Sequence, residues 1–236
     1  MNRAERRRQA KLQRTSGKTA AGKSSGIDAA IEQMIGPIVV LLNAREFDRA
    51  ETALKELLAA SPGHAEGLHL YGLLLCQTGR EEEGIASLRE ATVQEPETAL
   101  YWNNLAAAYS QRQDWDASLA AARQATALDP NYAEPQHILA NVLLSRGNTA
   151  EGTDALAKLV KLSGNDAKLW LKLARNRAAQ QRNEEAEAAY LKAQELSPRS
   201  LPVLREFAAF YMNTWRYDEA RRLNQEADRL EAETQL

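Results

Sequence analysis

Residues 15–26 read TSGKTAAGKSSG, and within them Gly17, four further residues and Gly22-Lys23-Ser24 spell G-x-x-x-x-G-K-S. That pattern belongs to a loop that cradles phosphates. Its glycines let backbone amides close around the anion, its lysine reaches the terminal phosphates and its hydroxyl reaches Mg²⁺. A nucleotide hydrolase is therefore the first chemistry the residues suggest. Other reactive or ligating side chains are sparse: three histidines (His64, His69 and His137) and one cysteine, Cys76. No glutamate–histidine spacing, nucleophile motif or carboxylate pair accompanies them, so no catalytic residue, metal site or cofactor is expected. Cys76 is expected to be an inert core thiol.

A phosphate loop works only between a buried strand and a helix of a parallel sheet. What precedes Gly17 is ERRRQAKLQRT, too charged for a buried strand, and no β-type alternation appears further on. The match is expected to be a flexible Gly/Ser/Lys linker. The 236 residues are 44% hydrophobic and 26% charged, as in a soluble globular chain, and they are dominated by helix formers such as alanine, leucine and glutamate. One cysteine excludes an intrachain disulfide framework. No apolar run reaches the length needed to span a membrane. The basic start lacks the apolar stretch of a secretory signal, so a cytoplasmic location is expected. Residues 1–26 hold eight basic groups and one acidic, a charge of +7 on a remainder of −9.

Pro62, Pro96 and Pro130 fall 34 residues apart, and Gly164 and Pro198 continue the count. Cutting at that period gives units 31–64, 65–98, 99–132, 133–166, 167–200 and 201–234. Each holds two apolar stretches of helical spacing, such as Leu105 and Tyr109, then Leu119 and Ala122. A small residue recurs at the twentieth position as Ala50, Gly84, Ser118, Gly152, Ala186 and Ala220, where two helices can approach closely. The proline ends the second helix. The third unit shows Trp102, Leu105-Ala106, Tyr109, Ser118, Ala125 and Pro130; the fifth shows Trp170, Leu173-Ala174, Ala186, Tyr190, Ala193 and Pro198. This resembles the tetratricopeptide repeat, in length and in its W-x2-L-G-x2-Y…A-x3-F…P pattern, over about 200 residues. The resemblance implies an all-α, right-handed solenoid of about six helix-turn-helix repeats over 27–236, behind a basic tail (1–26) that is disordered or partly helical. Within unit one, Gly36-Pro37 is expected to kink or restart the first helix, leaving a separate short helix over 27–35. The mostly polar last helix suits a solvent-facing cap.

In this family the first helices of successive units line a concave groove. The positions that do so carry His69, Asn103, Asn104, Gln111, His137 and Asn141, then Lys168, Lys172, Arg175 and Arg205. The lining would pass from amide-rich to basic. Amides suit the backbone of an extended peptide, and cations suit carboxylates. The resemblance thus implies a non-enzymatic scaffold whose partner is another protein, through an acidic extended segment or a C-terminus. The lysine–asparagine pair of the carboxylate-clamp subfamily is missing. The start MNRAERRRQAK with such repeats also resembles bacterial proteins in which repeats precede a transferase domain. The sixth unit ends two residues before the last residue given, so an alternative reading is a specificity or assembly module for a separate glycosyl-, sulfo- or methyltransferase. The basic tail could meet nucleic acid or an anionic membrane by charge.

Overall fold

The structure is a computed structural model that describes residues 31 and 33–234. The basic tail, the phosphate-loop spelling at 17–24 and most of the short helix expected over 27–35 lie outside those residues. Among the described residues every regular element is a helix: α1 (33–43), α2 (Phe47–Ala60), α3 (Ala65–Gln77), α4 (Glu81–Gln94), α5 (Ala99–Gln111), α6 (Trp115–Leu128), α7 (Ala133–Ser145), α8 (Thr149–Ser163), α9 (Ala167–Ala179), α10 (Asn183–Leu196), α11 (Leu201–Asn213) and α12 (Tyr217–Thr234). From α3 onward, first helices start at 65, 99, 133, 167 and 201, and second helices at 81, 115, 149, 183 and 217. The fold class is the expected all-α one, built of helix pairs that repeat every 34 residues. The chain divides at Ala108/Tyr109, within α5, into two compact units.

Local chemistry sets these boundaries. Four of the second helices stop two residues before Pro62, Pro96, Pro130 and Pro198, because a residue before proline is pushed out of helical geometry. α8 runs to Ser163, next to Gly164, which takes a left-handed conformation with φ +56°. Between the two helices of each pair, the turn uses one left-handed residue every 34 positions: Arg45, Gly79, Gln113, Gly147, Gln181 and Trp215. The next amide then reaches back five residues, as in Arg80 N to Leu75 O at 2.8 Å and Arg182 N to Arg177 O at 3.0 Å. This closes a Schellman motif and satisfies a carbonyl that the helix end leaves open.

Within the first unit, Ile31, Ile35 and Ile38 pack with Leu54, Leu57 and Leu74. α1 is helical without a break through Gly36 and Pro37, so the expected restart does not occur. Pro37 lies near the start of the described run, where it removes one ladder bond, and Ile38 next to it is buried to 1% exposure. α3 and α4 form a close hairpin. A Cβ on Gly84 would stand 2.5 Å from Cys76 Sγ and 2.8 Å from the Gly72 carbonyl, so the twentieth position here must be glycine. Cys76 is half-buried, and burial together with Glu81 raises its thiol pKa. Arg80 joins Glu83 in its own pair to Glu51 in the preceding one, donating to both at 2.7 Å.

In the second unit, α7–α8, α9–α10 and α11–α12 form hairpins, and α6–α7, α8–α9 and α10–α11 pack each hairpin onto the next. The same arginine staple recurs. Arg182 binds Glu185 at 2.7 Å and lies 3.7 Å from Asp154, and Arg216 binds Glu187 at 2.7 Å and Glu219 at 2.9 Å. Phe207, Phe210, Tyr211 and Tyr190 form an aromatic cluster, with Tyr190 stacked on Phe207 at 5.0 Å. Leu223 and Ala227 of α12 are buried, while most of its remaining described side chains are partly or fully exposed.

Candidate functional site

In the first unit the expected lining residues form a closed relay. His69, on α3, is 5% exposed, and Asn103, on α5, is 6% exposed. Asn104 Nδ2 lies 2.7 Å from His69 Nε2. An amide N–H only donates, so Nε2 accepts and the imidazole is neutral. Asn103 Nδ2 donates to Asn104 Oδ1 at 3.3 Å, and Asn103 Oδ1 is buried with no hydrogen-bond partner. Tyr101 covers the imidazole with ring centroids 4.6 Å apart. Burial holds the His69 pKa down at about 4. His69 and Asn103 therefore sit inside the packing, and Asn104 alone of the three is half-exposed. His64 caps α3, its Nδ1 accepting from Gly67 N at 3.0 Å.

The second unit is more open. His137 is exposed, and its Nε2 lies 3.1 Å from Asn141 Nδ2 one helical turn on. Asn141 Oδ1 accepts from Lys172 Nζ at 2.7 Å, bridging α7 to α9. Lys172 is half-buried, and its pKa is lowered by burial and then by the like charge of Arg175. Among the described residues no carboxylate pairs with Lys172 or with the exposed Lys168.

The other two cations are already answered. Arg175 Nε lies 2.9 Å from Glu206 Oε2 of α11, an ion pair without the alignment of a hydrogen bond. Arg205 donates to Asp228 at 2.8 Å, Glu231 at 3.0 Å and Asn224 at 3.2 Å, all on α12. The structure thus brings together His137, Asn141 and Lys172, leaves Lys168 and Gln111 exposed, and turns Arg205 toward the last helix. Glu206, which neutralises Arg175, was missed from the sequence, although it holds the sixth place of its unit as Asn104 and Lys172 do in theirs. Asn176, which donates to the Lys172 carbonyl at 2.8 Å, gave no comparable signal.

Between α9 and α11 lies a cleft of about 580 Å³. Ala178, Ala209, Phe210 and Tyr190 line it, with Arg175 and Glu206 among its polar lining. No group of histidine, cysteine and carboxylate side chains able to hold a metal occurs among the described residues. No described helix is long and apolar enough to cross a membrane.

Helix pairs recurring every 34 residues define a helical-repeat protein. Tetratricopeptide repeat models match residues 41–109, 99–132 and 139–200. The chain belongs to the tetratricopeptide repeat family, whose repeats serve as protein-interaction scaffolds, and none of the matched models is that of an enzyme. It is similar to the small glutamine-rich tetratricopeptide repeat-containing protein 2 of Saccharomyces cerevisiae, 26% identical over 122 residues, 52% of this chain and 35% of the relative. The match thus spans about a third of that relative's length. In fold it is similar to PilF of Pseudomonas aeruginosa, with TM-score 0.66 at 16% identity over 87% of this chain and 93% of that one. It is also similar to YrrB, a TPR protein with an unusual peptide-binding site, with TM-score 0.65 at 15% identity over 75% and 92%. The C-terminal part of a repeat protein from Cytophaga hutchinsonii gives TM-score 0.69 at 10% identity over 84% and 79%. These structures share the fold.

Proposed function

We propose that the chain is a non-catalytic scaffold that holds an extended, acidic segment of a partner protein on the first-helix face of its second unit. The observation that carries this reading is Lys172, a half-buried ammonium bonded to Asn141 Oδ1 at 2.7 Å, with a like charge beside it and no carboxylate paired to it among the described residues. A charge taken partly out of water is costly unless it is paired. A guest carboxylate would supply the missing partner, with Lys168 one turn earlier as a second contact. Asn141 and His137 offer the donors and acceptors that an extended backbone requires. Arg175 and Arg205 are engaged by Glu206 and by the α12 carboxylates, which concentrates the free positive charge on the first half of α9.

Fluorescence anisotropy of a labelled peptide bearing a Glu-Glu pair tests this. Lys172→Ala is expected to weaken binding about tenfold or more, the worth of a charge-assisted hydrogen bond, with helix content unchanged. Because Arg205 is already paired, Arg205→Ala is expected to leave affinity within about twofold. Equal affinity for the acidic peptide and its Gln-Gln counterpart contradicts the reading.

A further inference from the structure

We infer that the cleft between α9 and α11 seats one large apolar side chain, aromatic or leucine-like, of the same guest segment that sets its carboxylate on Lys172. The inference rests on the proposed function and specifies its partner. The cleft exists because the facing helices carry alanine where longer side chains could stand: Ala178 on α9 and Ala209 on α11. Behind them Tyr190 and Phe210, tilted at 36° with centroids 5.2 Å apart and largely buried, close the floor of the cleft. Its volume of about 580 Å³ falls in the range that holds a small organic group.

Charge decides what enters. The one cation and the one carboxylate lining the cleft, Arg175 and Glu206, lie 2.9 Å apart and answer each other. A charged guest side chain would have to break that pair, whereas a neutral apolar one leaves it intact and gains from the burial of its own surface. The unanswered charge lies at Lys172, seven residues and about two turns before Ala179, a cleft-lining residue on the same face of α9, or about 10 Å at 1.5 Å per residue. An extended chain covers that distance in about three residues. The recognised pattern is therefore a large apolar residue about three positions from an acidic one.

The test uses the full chain and labelled peptides of about ten residues. Two carry phenylalanine three positions before or after a Glu-Glu pair; matched controls replace phenylalanine by alanine or the glutamates by glutamine. One of the phenylalanine isomers is expected to bind about 10- to 100-fold more tightly than its alanine control, as burial of an aromatic side chain gives. Ala209→Leu, an exposed helical position where leucine is well tolerated, fills the cleft. It should remove that advantage while leaving the alanine control unchanged. Equal binding of phenylalanine and alanine peptides overturns the cleft and leaves the Lys172 reading standing. A phenylalanine advantage that survives Lys172→Ala, with no preference for glutamate, supports the cleft and overturns the acidic reading. No binding by any acidic phenylalanine peptide at millimolar concentration overturns both. If Ala209→Leu alters only the chain's own association on size exclusion, a second copy covers the cleft and the inference falls.

Discussion

Two histidines five places into their repeats meet opposite fates because of what surrounds them. His137 stays exposed beside Asn141, whereas His69 is sealed by Tyr101 and held by Asn104. A sequence position specifies the helix face but not the depth at which a neighbouring ring covers it, so His69 and Asn103 read as lining when they are packing. The difference has a titration consequence. The His69 pKa is lowered from 6.5 to about 4 by burial. Above pH 6.5 the imidazole is neutral in both folded and unfolded chains and contributes no pH dependence. Between 6.5 and about 4 the unfolded chain takes up a proton that the fold refuses, so stability falls with falling pH, by up to about 3 kcal/mol in total. Below about 4 this contribution levels off. The imidazole resonances of the folded protein are expected to titrate with a midpoint near 4. His69→Gln should flatten the loss of stability between pH 6.5 and 4 relative to the parent chain, measured by urea denaturation at each pH. A midpoint near 6.5 contradicts the buried acceptor geometry.

The left-handed turn between paired helices is occupied by glycine at 79 and 147 but by arginine, glutamine or tryptophan at the other four sites. A side chain there costs about 1–2 kcal/mol through its Cβ, and glycine's greater freedom in the unfolded chain offsets part of this. Gly79→Ala is therefore expected to lower stability by about 1 kcal/mol, and Gln113→Gly to raise it by about half that, both read from urea midpoints. No atom lies within 4 Å of a Cβ built on Gly79, so the loss would be conformational, not steric. A neutral Gly79→Ala contradicts the strain argument. At this scale most of the fold was legible. The 34-residue proline spacing marked the ends of the second helices, and the small twentieth residue marked the close approach now seen at Gly84. The helix through Pro37 was not, because breaking at proline is a local preference and the burial of Ile31, Ile35 and Ile38 is tertiary. The candidate site was half legible. Lys168 and Lys172 could be read from their positions, whereas the neutralisation of Arg175 and Arg205 depends on which carboxylates the neighbouring helices bring near, a pairing that no single repeat reveals.

At the scale of the whole chain, a repeat protein is held together by contacts between neighbouring elements, so stability is a sum of local terms and damage stays local. The two compact units that meet within α5 make this measurable. Phe207 is fully buried in the second unit, stacked with Tyr190 and Tyr211. Cutting it back to alanine removes a ring by which α11 packs on Tyr190 of α10, and α12 in turn packs on α11. The expected loss is about 3–5 kcal/mol, the cost of a large-to-small change in a filled core. Hydrogen exchange followed by mass spectrometry should then speed up in α9–α12 and leave α2–α4 at parental rates, because the packing around Leu54, Leu57 and Leu74 is untouched. Leu54→Ala should give the converse map, faster in α1–α3 and unchanged in α10–α12. The helices proposed to hold the guest, α9 and α11, would loosen in the first variant and not in the second, so peptide affinity should fall for Phe207→Ala alone. Uniform acceleration along the chain in either variant would mean that the repeats unfold as a single cooperative body, and affinity could then no longer be assigned to one unit by where the core is weakened.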